Sequence, residues 1–429
     1  MSRLLSLCIC FAITLCGCSK KEILSGTREE IEGITYAELH VSDEIKDRKI
    51  SLPPPSSATE LTRLLDNQQH LSMHHVLSAS PKVIWHKSLG RLPIVSNILI
   101  IGKCIYSISG DGTLCCLDKD TGKRLWLHKI STQPQFGRFV GGITAHGSII
   151  YIACNTSELV AFDFVHRKIL WRKTLDDMVK GTPVCVSGKI IANTASNKTY
   201  AINPNNGDIL WKYESSPEAI AIAILGTPAV YKNSAICVYS NGDIVSLNLS
   251  DGSVNWSDSL IPRAILRSGG TGLFHITASP IVIGDKVLVI NAFSNMTLFD
   301  AQTGIRIWSK DIGAVSQPAV IDKEWAFVLS DTDLLCISLK NGAIKWRTNE
   351  PKKIIKKNSE YKKCTWYGPL IINNQVWIFN NFANILKYDI SSGKYLEEIY
   401  LHHVRHRSTP IIVNNTMYSS VYGSIYAIG

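Results

Sequence analysis

A tryptophan recurs about every 45 residues, four positions after a turn glycine, and that recurrence limits this chain to a repeat architecture. The segments CLDKDTGKRLW, AINPNNGDILW, SLNLSDGSVNW, LFDAQTGIRIW and CISLKNGAIKW end at Trp126, Trp211, Trp256, Trp308 and Trp346. Two copies are degenerate. AFDFVHRKILW, ending at Trp171, has Arg167 in the glycine slot, and KYDISSGKYLE keeps Gly393 but places Glu397 where tryptophan stands elsewhere. From Trp85 onward the spacings are 41, 45, 40, 45, 52 and 38 residues to Trp346, then 51 to Glu397. This is the repeat length of a propeller blade rather than of a helical solenoid.

Each unit has the same internal order. A Pro opening (Thr182-Pro183, Thr227-Pro228, Ser279-Pro280, Gln317-Pro318, Gly368-Pro369, Thr409-Pro410) begins a short strand, and a tight polar turn leads to a second. A third strand and a Gly/Asn/Asp turn then deliver the tryptophan strand, which predicts four-stranded antiparallel sheets. The strands are apolar on both faces, as stacked blades require. Three strands near Gly429 lack a fourth, and KVIWHKSLG around Trp85 is a tryptophan strand with no blade before it. Pairing the two predicts an all-β, eight-bladed propeller over residues 82–429, closed by its N-terminal strand on the C-terminal blade.

The Asp/Asn-x-x-x-Gly-x-x-x-Trp signature resembles the pyrroloquinoline-quinone-type propeller repeat, and the chain as a whole resembles the BamB family of outer-membrane β-barrel assembly lipoproteins. The resemblance implies a non-enzymatic scaffold that binds BamA through a POTRA domain, meets other subunits of the assembly complex, and assists nascent outer-membrane proteins. It implies no cofactor, no metal, no catalytic residue and no nucleic-acid partner. The net charge of +10 does not by itself choose a partner.

Residues 1–17 hold Arg3, no acid and an apolar run from Leu4 to Leu15, too short to span a bilayer comfortably, and so read as a secretory signal. Leu15-Cys16-Gly17-Cys18 resembles a bacterial lipobox, which implies cleavage before Cys18 and lipid on its sulfur. Ser19 implies sorting to the outer membrane, where the chain would hang on the periplasmic face. An ordinary signal peptide or an uncleaved anchor is the alternative. Residues 18–81 read as a lipidated, polar tether with one amphipathic helix around Leu61, Leu64, Leu65 and Leu71; His70, His74 and His75 within it read as surface residues.

Eight cysteines remain downstream: Cys104, Cys115, Cys116, Cys154, Cys185, Cys237, Cys336 and Cys364. Most lie in apolar strand-like runs and are expected as buried free thiols. A quinoprotein-like oxidoreductase is the alternative function, because those enzymes share the repeat and carry a vicinal disulfide, an acidic base and calcium. Cys115-Cys116 invites that reading, yet alternation in the strand TLCCLD puts one side chain on each face. A cell-envelope propeller that binds another protein or a glycan is a third class.

The loops that follow the tryptophan strands all emerge on one face. Lys352, Lys353, Lys356, Lys357, Lys362 and Lys363, with Arg405 and Arg407, make that face basic, while His402, His403 and His406 read as surface residues. The family's docking loops correspond to Glu218–Gly226 and Ile261–Thr277. The family's own motifs are absent there, so the expected contacts are Ala221, Ile222, Ile224 and Leu225, with Arg263 and Arg267 supplying charge.

Overall fold

The computed structural model describes residues 39–429 apart from 57, 63–68, 91–93, 95–96, 131–140, 155–156, 217–225, 261–277, 292–294, 315, 331–332, 350–363 and 407. Residues 40–429 form one compact unit. The described residues build eight sheets, each with four antiparallel strands, and contain no helix. The first blade comprises Leu99–Ile101, Cys104–Ile108, Thr113–Asp118 and Arg124–Lys129, paired in that order. Blades two to seven repeat the pattern and begin at Ile143, Val179, Ala229, Ile281, Ala319 and Trp366. The eighth is composite: Ile411–Val413, Thr416–Val421 and Ser424–Ile428 are completed by Val83–Ser88, with Trp85 opposite Ala427 and His86 opposite Tyr426. Lys82 and Gly429 exchange backbone hydrogen bonds of 2.8 and 3.0 Å beside this pairing. The ring is therefore closed as the repeat pattern predicts, and closure removes free sheet edges between first and last blades.

The four strands differ in exposure because their radial positions differ. First strands of neighbouring blades approach one another around the axis, and second and third strands are buried on both faces, as in CIYSI and TLCCLD. The outermost strands alternate; RLWLHK presents Leu125 and Leu127 to solvent. A β-bulge lies immediately before each tryptophan position, for example between Ile209 and Trp211, and again before Glu397. The extra residue re-aims the side chain that follows it toward the next blade.

That re-aiming explains the repeat signature. The Trp211 ring packs on Gly252 of the following blade and Trp256 packs on Gly304; their Nε1–H groups donate to Leu249 O (3.0 Å) and Ala301 O (2.9 Å). The same interlock joins Trp85 to Gly122, Trp171 to Gly207, Trp308 to Gly342 and Trp346 to Gly393. An indole that removes on the order of 150–200 Å² from water is worth ~4 kcal/mol by area, against ~1 kcal/mol for its hydrogen bond. Packing therefore dominates and the hydrogen bond sets the register. Where Arg167 replaces glycine, its guanidinium lies 5.7 Å from the Trp126 ring centroid, so a cation–π contact stands in for the flat turn.

Residues 40–81, expected as part of a free tether, are bonded to the propeller instead. Ser42 N donates to Ile344 O at the rim of the sixth blade (2.8 Å), and Leu61 exchanges two 2.8 Å bonds with Ile100 on an innermost strand. Further bonds run from Ala145 N to Thr62 O, Val282 N to Gln69 O and Ser72 N to Val320 O. His74–His75 adds as a parallel strand to Trp366–Ile372. Antiparallel connectivity places the turns between first and second strands at one end of every blade, and the loops leaving the tryptophan strand at the other. Glu60 caps Gly102 N, Arg48 pairs with Glu324, and Asn373 bonds both Leu77 N and Leu77 O, so this strap lies on the turn face. The histidine expectation is corrected here too. His70, His74 and His75 are buried, His70 against Pro280 O (2.8 Å) and His74 against Pro53 O (2.9 Å), and burial pushes His75 down to about 4. Of the expected helix, Leu61 forms a β-bridge, while Leu64 and Leu65 lie outside the described residues.

Gly304 and Gly102 separate the interlock from backbone strain. Both have positive φ (73° and 58°), but a methyl on Gly304 would sit 2.6 Å from the Trp256 ring and one on Gly102 would meet nothing. Gly102→Ala is expected to cost about 1 kcal/mol and Gly304→Ala about 2–4 kcal/mol in denaturant unfolding; equal losses would refute the interlock.

Candidate partner-binding face

The loop face is organised by the Pro openings. At each, the proline removes one backbone donor, and the preceding N–H must find a partner near the axis. Thr182 N donates to Thr227 Oγ1 (3.3 Å), Thr227 N to Ser279 Oγ (3.0 Å) and Ser279 N to Gln317 Oε1 (2.8 Å). Gln317 Nε2 returns a bond to Ser279 O (3.1 Å). Gly368, which has no side chain to offer, receives the Ser316 hydroxyl at its carbonyl and donates its N–H to Thr409 Oγ1 (3.2 Å). In the first blade Asn97 performs the same task by bonding both N and O of Ile143. A side-chain relay thus runs from blade to blade around the axis. Its signal was present in the sequence as polar residues before proline, but the partner across the blade boundary could not be read there.

From this relay the loops spring. The expected contacts Ala221, Ile222, Ile224, Leu225, Arg263 and Arg267 lie outside the described residues, as do Cys18, the lysine run and Arg407. The described flanks show how the two loops are rooted. Leu260 N donates to Gly242 O (2.9 Å), and a methyl on Gly226 would lie 2.8 Å from Ala278 O, so the C-terminal roots of both loops touch. Next to the lysine-rich segment, Arg347 grips the buried Asp333 with two bonds of 2.8 and 3.0 Å. On the loop after the second blade, Asp176 accepts from Lys198 (3.1 Å) and Lys212 (3.3 Å).

On the loop after the seventh blade, His402, His403 and Arg405 are exposed. His406 is not a surface residue. It is fully buried, bonds Ser419 Oγ through Nδ1 (2.9 Å), and meets Phe379 edge-on. Burial pushes it down to about 3. The cysteines are free, and five of the eight are buried. Cys116 packs in the core between the first two blades, whereas Cys115 lies on the other face of the same strand. Burial pushes the Cys115, Cys154 and Cys237 thiols up to about 12, which keeps them protonated and unreactive at neutral pH. Among the described residues no group of three or more His, Cys, Asp or Glu side chains is placed to hold a metal ion.

Two measurements check this account. Ser279→Ala leaves the buried Thr227 N–H without its acceptor and is expected to cost about 1–3 kcal/mol in chemical unfolding. For His406 the folded state holds fewer protons than the unfolded chain between about pH 3 and 6.5, so stability falls as pH drops through that window. His406→Leu should flatten the stability profile there by up to about 1.4 kcal/mol per pH unit; an unchanged slope would contradict the buried neutral state.

Comparison with known proteins agrees with the fold. The BamB of Yersinia pestis is 22% identical over 58% of this chain and 65% of its own length. That of Nitrosomonas eutropha is 24% identical over 58% of this chain and 57% of its own. The chain thus matches under two thirds of the length of these relatives. The crystal structure of BamB from Moraxella catarrhalis superposes with a TM-score of 0.67 at 15% identity, covering 81% of this chain and 99% of that one. Quinohemoprotein alcohol dehydrogenase from Comamonas testosteroni gives 0.65 at 12% identity, over 87% and 81%; at such identities the likeness is one of fold. The family model described as outer membrane protein assembly factor BamB matches residues 110–348, more than half of the chain. An eight-bladed ring locked by tryptophan on glycine, with that match across its blades, makes this chain a member of the BamB family.

Proposed function

We propose that the chain is a non-enzymatic scaffold lipoprotein of the outer-membrane β-barrel assembly complex. It is lipidated at Cys18, sits on the periplasmic face of the outer membrane, binds BamA through a POTRA domain, and assists nascent outer-membrane proteins alongside other subunits. Membership of the BamB family supports the complex and the compartment. The observation that carries the docking assignment is the shared root of the loops 218–226 and 261–277, where Gly226 meets Ala278 on the face opposite the strap. Roots held in contact bring the ends of the two loops together, and held roots lower the ordering cost of binding. Ala221, Ile222, Ile224 and Leu225 supply its aliphatic part, Arg263 and Arg267 its charge.

The repeat signature shared with quinoproteins makes an oxidoreductase the second reading. The residues present do not fit a quinone beside a vicinal disulfide: Cys115 and Cys116 occupy opposite faces of one strand, and Cys116 is enclosed in core. In-cell photocrosslinking from Ile222 and from Arg263 is expected to capture BamA, and Arg263→Glu with Arg267→Glu to lower BamA co-purification several-fold. Crosslinks to other proteins only, with co-purification intact, would reject the docking assignment.

A further inference from the structure

One blade junction departs from all the others on both of its sides. Between the seventh and eighth blades Glu397 stands in the tryptophan position, and its carboxylate turns inward to Lys387 Nζ at 2.6 Å. On the opposite side Pro81 lies four residues before Trp85, in the slot that a turn glycine fills elsewhere. The turn itself is replaced by the meeting of Lys82 and Gly429. A cleft of about 440 Å³ lies at this junction, within the roughly 300–1,000 Å³ typical of ligand pockets. Pro81, Lys82 and His86 form one side, Tyr400 and His402 the other, with Tyr426 beside them. His86 stacks on Tyr426 with ring centroids 5.4 Å apart, and Tyr400 meets His402 edge-on at 4.7 Å. Tyr400, a large aromatic at the end of the strand Tyr395–Tyr400, is 55% exposed. The residues lining the cleft include no carboxylate.

We propose that this cleft is a docking site for an aromatic side chain, an indole or a phenol, carried on an acidic segment of a partner protein. The argument is one of shape and of charge. The cleft is walled by the rings of His86, Tyr400, His402 and Tyr426 and carries the positive charge of Lys82. Aromatic walls select an aromatic guest through offset and edge contacts, and a single buried aromatic anchor is the usual centre of a protein interface. Lys82 in the wall and Arg405 exposed on the adjoining segment complement acids flanking that anchor. Glu397 does not oppose them, because its charge is held by Lys387. The cleft is on the rim, away from the loops rooted at Gly226 and Ala278, so its failure would leave the BamA assignment standing, and the converse also holds.

The test uses the full chain, a labelled acidic peptide carrying a single tryptophan, and the same peptide with alanine in its place, read by fluorescence anisotropy. Saturable binding is expected for the tryptophan peptide, about tenfold weaker for the alanine peptide. Tyr400→Ala should weaken the tryptophan peptide about tenfold without moving the melting temperature, and Lys82→Glu should weaken it at least as much by repelling the acidic flanks. Equal binding of the two peptides, which marks a merely electrostatic patch, would overturn the proposal. So would binding indifferent to Tyr400→Ala, no saturable binding up to millimolar peptide, or self-association lost in Tyr400→Ala, which would assign the cleft to a second copy.

Discussion

The ring depends on an exchange between neighbours in which the indole of one blade needs the bare turn of the next. Glycine and tryptophan stand four residues apart in sequence, yet they serve different junctions. Gly252 receives Trp211 from the blade before it, and Trp256 reaches Gly304 in the blade after it. Most units are therefore donor and acceptor at once, and none of these is complete alone, which is the energetic logic of repeat proteins closed into a circle. The bulge before each tryptophan is what makes the exchange geometrically available, since strict alternation would leave the ring pointing to the wrong side.

The same logic accounts for the one blade that breaks the pattern. A tryptophan at position 397 would find no glycine turn ahead of it, because there the chain passes from Pro81 into the closing strand. Leu77 fills the core at this junction, against Ile372, Trp377 and Leu401, as the strap crosses to the closing strand. Lys387 is buried, bonded to Ala79 O (2.7 Å) and Glu397, and lies 4.4 Å from the Trp377 ring centroid. Lys345 is buried similarly under the other end of the strap, bonded to Ile45 O and Lys46 O. Buried ammonium groups are tolerated only when so satisfied; the two lysines hold the strap by its carbonyls, which any sequence can offer.

The architecture was legible in the sequence because its determinants are local and repeated. Blade count, strand order and closure all follow from spacing and from turn chemistry around residues such as Gly122, Gly304 and Thr227-Pro228. The strap was not legible, because its bonds to the propeller are mainly backbone bonds made across long stretches of chain, and polar side chains around His70 and His74 read as solvated when their burial comes from distant strands. His406 reads as a surface residue for the same reason: Phe379 and Ser419, which enclose it, belong to other strands. Arg167 shows the converse, a lapse in the pattern that turns out to be a substitution in kind, with cation–π contact for close approach.

The two faces of the ring then carry different obligations. On the turn face the strap occupies inner-strand edges at Ile100, Val282 and Val320, so that face is already engaged by the chain's own residues. On the loop face the relay of Thr182, Thr227, Ser279 and Gln317 fastens only the loop roots, through hydroxyl and amide groups at the axis. Loops held on a rigid scaffold are where recognition residues change without cost to the fold. On the proposed docking assignment, the loops can keep their position while their side chains differ, as the absence of the family's own docking motifs in Glu218–Gly226 and Ile261–Thr277 requires.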